Sequence, residues 1–154
     1  MKKLGLLSLT FVVGLGAAVW SAHGSGPPFS NGTLSGTYVF SLYVGINGGD
    51  VIGTATFDGN GNVSGTLHQN LVVTSPISPP SVASCDSTIS SGTYAVDSTG
   101  SFTMTVTVTP GDDCAGSTVH SFTGAVDHSG KSFVFVTNPL GPGNGPGAGS
   151  GIIQ

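Results

Sequence analysis

The side chains in this sequence that could do chemistry are few and scattered. Asp58-Gly59-Asn60-Gly61-Asn62 sets oxygen ligands at alternating positions, the spacing of a calcium loop. Val63, however, stands where an EF-hand loop needs Gly, and the chain has no Glu to close the coordination. Turn chemistry explains the same residues. Asp at the first position of a type I turn accepts backbone amides two residues on, and Gly at the fourth takes the left-handed conformation. Asp97-Ser98-Thr99-Gly100 and Asp127-His128-Ser129-Gly130 repeat the Asp-x-x-Gly frame. Asp58, Gly61, Asp97, Gly100, Asp127 and Gly130 therefore read as structural turns, and no metal site is expected.

His120 shares the parity of Phe122 and Val126 and should point inward, with Asp112 and Asp113 nearby in sequence. Together with Tyr43 these form the candidate ligand contacts, all close to long loops. The bland alternative is a hydrogen-bonded rim histidine. His68 has outward parity and His128 lies in a turn, so neither converges on His120 to make a metal cluster. Hydrolysis needs a nucleophile, a base and an orienting acid together. Gly-x-Ser-x-Gly is absent, and paired carboxylates would have to come from Asp alone. Neither an enzyme nor a cofactor is expected. The Thr103, Thr105, Thr107, Thr109 row resembles one rank of an ice-binding face, but Thr is favoured on any solvated strand.

The elements that must carry these residues are strands. From Leu34 to Ile46 the even positions Leu34, Tyr38, Phe40, Leu42, Val44 and Ile46 are apolar, and the odd ones mostly polar. That is the period of a half-buried strand. Val51–Phe57, Asn62–Val73, Thr88–Val96, Phe102–Thr109 and Ser117–Val126 alternate likewise, and Lys131–Thr137 is apolar on both faces. Ser150–Gln154 is long enough for a closing strand. Thr74–Ser87 (TSPISPPSVASCDS) reads as a long loop, because proline lacks the amide donor of a central strand. If each strand reverses the last, the three Asp-x-x-Gly tips fall at one end. Asn47–Asp50, Thr74–Ser87, Pro110–Gly116 and Pro139–Gly149 then fall at the other. Cys85 and Cys114 both lie beside that second end, which fits one disulfide; two free or metal-bound thiols are the alternative.

Met1-Lys2-Lys3 followed by an apolar run from Leu4 to Trp20 is the layout of a secretory signal peptide, with cleavage expected near Gly24. Residues 1–24 are thus a leader, 25–33 a flexible lead-in and 34–154 one domain, secreted or periplasmic, from a bacterium. The mature chain keeps Lys131 as its only basic residue against seven Asp, so 1 − 7 gives −6. Such a chain cannot neutralise a phosphate backbone, and nucleic acid is excluded as a partner. No membrane span is expected after the leader.

The fold class is all-β, an antiparallel up-and-down barrel of about eight strands, with a two-sheet sandwich as the alternative. The strand order, the opening Leu34-Ser35-Gly36-Thr37-Tyr38 and the Gly61-Asn62-Val63-Ser64-Gly65-Thr66 stretch resemble the lipocalin and avidin (calycin) type of secreted barrel. Lipocalins usually open on Gly-x-Trp, and avidin-type biotin sites use tryptophans that the mature chain lacks. The resemblance implies a fold and a binding role. The expected function is an exported binding module that takes an apolar or uncharged small molecule, or a surface partner, at the long-loop end. A structural or adhesive surface protein without a small ligand is the alternative. A filled interior would favour that second reading.

Overall fold

The computed structural model describes residues 28–44, 49–75, 78–111, 118–138 and 146–154, without the side chains at 71, 73–75 and 78–80. The leader, Ile46, Asp112, Asp113 and Cys114 lie outside the described residues, as do the side chains of Leu71 and Val73. Eight strands follow in chain order: β1 (Ser35–Tyr43), β2 (Asp50–Asp58), β3 (Val63–Ser75), β4 (Ser78–Val96), β5 (Ser101–Pro110), β6 (Thr118–Val126), β7 (Ser132–Thr137) and β8 (Ala148–Ile153). Each pairs antiparallel with the next, and β8 returns to β1 to close the barrel. The sandwich is thereby set aside. Closure leaves no sheet edge within the barrel wall.

Aromatic rings fill the interior, and glycines make room for them. Phe40 is paired across the ladder with Gly53 and Gly151, Phe57 with Gly36, Phe102 with Gly124, Phe133 with Gly151, and Phe135 with Gly124 and Gly149. The rings of Phe102, Phe133 and Phe135 lie over the bare backbone of Gly124, Gly151 and Gly149. A Cβ on Gly151 would stand 2.4 Å from the Phe133 ring, and one on Gly124 would stand 2.4 Å from Phe102. Cross-strand contact of this kind stabilises a sheet pair, and aromatic cover compensates for glycine in a strand. The rings then touch along the axis: edge to face for Tyr94–Phe57 at 5.0 Å, Phe57–Phe133 at 5.6 Å and Phe135–Phe122 at 5.4 Å, and tilted for Phe133–Phe135 at 5.7 Å between centroids. Tyr38, Phe57, Phe102 and Leu34 are fully buried.

The three tips lie at one end, as the chain order requires. In each, one Asp carboxylate gathers the turn amides. Asp97 Oδ1 accepts from the Thr99 amide at 2.8 Å and the Ser101 amide at 3.1 Å. Asp127 accepts from the amides of Ser129 at 2.7 Å, Lys131 at 3.1 Å and Ser132 at 3.0 Å. Gly100 and Gly130 close these two turns by donating to the Asp carbonyls, at φ +87° and +67°. The Asp58 tip differs. Gly59 (φ +78°) joins Gly61 (φ +110°) on the positive side, so its centre is not a type I turn, though the Asp58 carboxylate still takes the Asn60 and Asn62 amides.

Pro28–Leu34 lies across this same end. A 3-10 turn, Asn31–Thr33, brings Asn31 Oδ1 to the Val96 amide at 2.8 Å. The Tyr94 hydroxyl donates to the Leu34 carbonyl at 2.7 Å, and the Tyr38 hydroxyl donates to the Gly130 carbonyl. Phe29 packs its ring edge to face with His128 at 5.0 Å. Leu34 sits below as a fully buried plug. Burial pushes both tyrosine hydroxyls above their usual pKa range.

Candidate functional site

With the turn end tied shut and the axis packed with rings, exposed chemistry is left to the loop end and the outer wall. The loop end differs from the sequence expectation in one large respect. Thr74–Ser87 is no loop: β3 runs on to Ser75 and β4 starts at Ser78, in register from Gly65↔Ile89 to Ser75↔Ser78. β2 leaves β3 at Asn70, and β5 reaches β4 only from Ser87. Beyond those points the two strands form a ribbon that rises out of the wall. Pro79 and Pro80 are tolerated because they fall where the ladder shifts between Val73↔Ser81 and Ser75↔Ser78, on a strand with β3 as its paired neighbour. Cys85 therefore lies within β4, opposite Gln69, rather than ahead of it. It is buried and is not a free thiol.

Of the predicted ligand contacts, Tyr43 is exposed on the outer wall of β1. His120 is half-buried on β6, its ring 6.4 Å from Phe122 and its Nε2 2.6 Å from Thr118 Oγ1. β7 and β8 stand between them in the barrel, so the two do not meet. Asp112 and Asp113 are not described. Among the described residues no group of His, Cys, Asp or Glu could hold a metal ion.

The residues that do come together are His68, which the sequence marks only as outward-facing, and three polar residues with no expected role. At the foot of the ribbon His68 pairs with Asp86, and Asn70 with Ser84. His68 Nδ1 is 2.8 Å from Asp86 Oδ1, and its Nε2 is 2.9 Å from Ser84 Oγ. Ser84 Oγ is in turn 2.8 Å from the Asn70 side-chain amide. This has the connectivity of an acid–base–nucleophile chain. Two facts weigh against that chemistry. The Asp86 side chain is 90% exposed and that of His68 is 44% exposed, so water competes for the acid that would orient the base. The serine has a single proton, and both His68 and Asn70 call for it. If His68 is neutral and donates its Nδ1–H to Asp86, Ser84 must donate to Nε2 and Asn70 must turn its NH2 to the serine. If His68 is an imidazolium, Ser84 donates to the Asn70 oxygen. The chain is thus a polar rank with two complete hydrogen-bonding settings. As an exposed ion pair, His68–Asp86 contributes at most about 1 kcal/mol.

His68 and Asp86 also line a groove of about 710 Å³ on the outer wall of β1–β5. Its floor is apolar at Val39 and Ile52 and hydroxylated at Thr54, Thr66 and Thr88; Pro110 and Gly111 bound it toward the loop end. The register that aligns His68 with Asp86 depends on Thr74–Ser87 being strand, so the alternation pattern does not contain it. Alternation alone did mark His68 as outward-facing.

Comparisons with family models, with curated proteins and with solved structures found no match. The closed eight-stranded barrel is compatible with a calycin-like fold.

Proposed function

We propose that the protein is an exported binding module that engages an uncharged partner on its outer wall, along the groove at the foot of the β3–β4 ribbon. The observation that carries this reading is the column of touching rings from Tyr94 to Phe122, which occupies the space a calycin-type ligand would need. The alternative of a surface module with no ligand inside the barrel is the one this packing favours. The groove combines apolar floor residues, Val39 and Ile52, with His68 and Asp86, and Ser84 and Asn70 continue the same hydrogen-bonded rank beyond it. That pairing of an apolar base with a few convergent polar groups is the usual make-up of a recognition site. A Cys85–Cys114 disulfide, forming part of the same proposal, would hold the loop after β5 against the ribbon.

Labelled mature protein applied to the cells that produce it tests the reading. Ile52→Asp and His68→Ala should each lower retention at least about tenfold, while Thr105→Ala on the wall away from the groove leaves it unchanged. Native mass spectrometry of protein from its source should show no retained small molecule. A ligand carried inside the barrel, or retention indifferent to both groove variants, would refute the proposal.

A further inference from the structure

The outer wall has two characters. Across β4–β6 its ranks are hydroxylated: Thr93 stands beside Thr105 and Ser121, and Ala95 beside Thr103 and Thr123. Across β7, β8 and β1 large apolar side chains stand among serines. Val136 stands beside Ala148 and Tyr43, Val134 beside Ser150 and Ser41, and Ser132 beside Ile152 and Val39. Val134 is 59% exposed, Val136 52%, Ile152 63% and Tyr43 53%. A thin scatter of exposed apolar side chains is ordinary, but these occupy adjacent ranks of three neighbouring strands.

We infer that this face is the contact surface between two copies of the chain. Three observations choose that occupant over others. The first is charge. The outward positions of β7, β8 and β1 include no Asp and no Lys, whereas the mature chain carries seven Asp against Lys131. Like β5 and β6 this wall carries no charge, and it alone adds apolar side chains on three neighbouring strands. Two strongly anionic copies can therefore approach through it, while a cationic partner would find nothing there to pair with. The second is area. Taking roughly 100 Å² for a fully exposed Val or Ile side chain and roughly 200 Å² for Tyr, the set with Val39 leaves about 300 Å² of apolar surface open. Ala148 and Ala125 on its borders carry that toward the roughly 500 Å² of apolar surface that one side of a stable homodimer contributes. The third is shape. Twisted antiparallel sheets pack face to face through β-branched ranks, and an isologous two-fold contact needs only one such patch. The patch meets the proposed groove only at Val39, so the two readings fail separately.

Sedimentation of the mature chain over a range of concentrations tests the inference. The wild type should sediment as two chains, with a dissociation constant that falls several-fold as salt rises and screens the anionic copies. Val134→Asp and Ile152→Asp should each weaken association roughly 100-fold by placing like charges across the contact. Val134→Thr, which keeps the β-branched shape, should weaken it roughly tenfold while the circular dichroism spectrum stays unchanged, so a folding failure cannot be mistaken for lost contact. Thr105→Asp on the hydroxylated wall should leave the dimer intact. A wild type that remains a single chain at about 200 µM, a dimer indifferent to the Val134 and Ile152 variants, or a single chain that binds neutral phosphatidylcholine vesicles through this face would each overturn it.

Discussion

Replacing Gly130 with Ala should strike the turn end harder than any other glycine substitution in the tips. The backbone there has φ +67°, in the left-handed region, where an L side chain costs about 1–2 kcal/mol. Restricting the unfolded chain offsets about 0.4–1 kcal/mol of that. Crowding decides the sum. A Cβ at this position would stand 2.1 Å from the Thr33 carbonyl oxygen, a backbone atom in the segment pinned by Asn31 and Tyr94. Either that segment lifts off or the turn moves, and the Gly130 carbonyl then leaves the buried Tyr38 hydroxyl. An unsatisfied buried hydroxyl costs a further 1–3 kcal/mol or so. The expected loss is about 2–4 kcal/mol, read from urea unfolding followed by circular dichroism with unchanged slope. Gly32→Ala is the internal comparison: its φ is not positive, and the nearest atom to an added Cβ, Ser30 Oγ, is 3.6 Å away. That variant should lie within about 0.5 kcal/mol of the wild type or slightly above it. Equal stability of the two variants would refute both the turn geometry and the docking of the N-terminal segment over it.

Acid should loosen the same end. Hydrogen bonds hold the Asp58 and Asp97 carboxyls below their usual range, chiefly from the Asn62 and Thr99 side chains, and the Ser129 amide leads in lowering Asp127 to about 2. A depressed carboxyl contributes stability that is fully present above its unfolded value, near 4, and is lost as pH falls through the folded one. Unfolding midpoints should therefore drop between about pH 4 and pH 2, and Asp127→Asn should flatten that slope; an unaltered slope would deny the carboxylate its part. Cys85→Ser should lose about 3–4 kcal/mol by freeing a loop of some thirty residues while keeping its strand content, and non-reducing peptide maps should join the Cys85 and Cys114 peptides. Two free thiols in the protein purified without reductant would contradict it.

The barrel was legible because period-2 alternation states which side of a strand is buried, and the Asp-x-x-Gly frames state where strands end. Phe102, Met104, Val106 and Val108 are buried in strict alternation with Thr103, Thr105, Thr107 and Thr109. Pairing is another matter. That Phe133 faces Gly151, or that His68 faces Asp86, depends on register between strands, which no single strand's pattern contains. The β3–β4 ribbon was misread for a sharper reason. Its prolines forbid a central strand but not a strand with an open side, and the sequence cannot say which strands outrun their neighbours. The candidate site was lost with it, since Ser84 and Asp86 fall inside the misread stretch. Residues 25–33 show the limit of composition: their Gly, Pro and Ser content reads as a flexible lead-in, yet Asn31 accepts the Val96 amide and Thr33 Oγ1 accepts the Ser30 amide within a 3-10 turn laid over the turn end.

Where an eight-stranded barrel keeps its function depends on the size of its inward residues. Such a barrel is just wide enough for side chains to fill it, or for one small ligand if the inward positions stay small. Here the space left by Gly124, Gly149 and Gly151 is taken by phenylalanine rings, Phe102, Phe135 and Phe133, that lie on them. Ring and glycine together fill the width that two medium side chains would, and the rings then touch one another along the axis. The outward pattern is the inverse of a lipid-embedded barrel, whose interior is polar and whose whole circumference is apolar. In this chain the phenylalanines of the strands point in, hydroxyls dominate the outer wall of β5, and the outward apolar residues of β7–β8–β1 form a patch rather than a belt. A wall apolar on one side only is suited to contact with another solvated surface, and a packed axis leaves recognition to that wall. Both the groove beside His68 and the Val134–Ile152 face follow from the same allocation of large residues to the inside and chemistry to the outside.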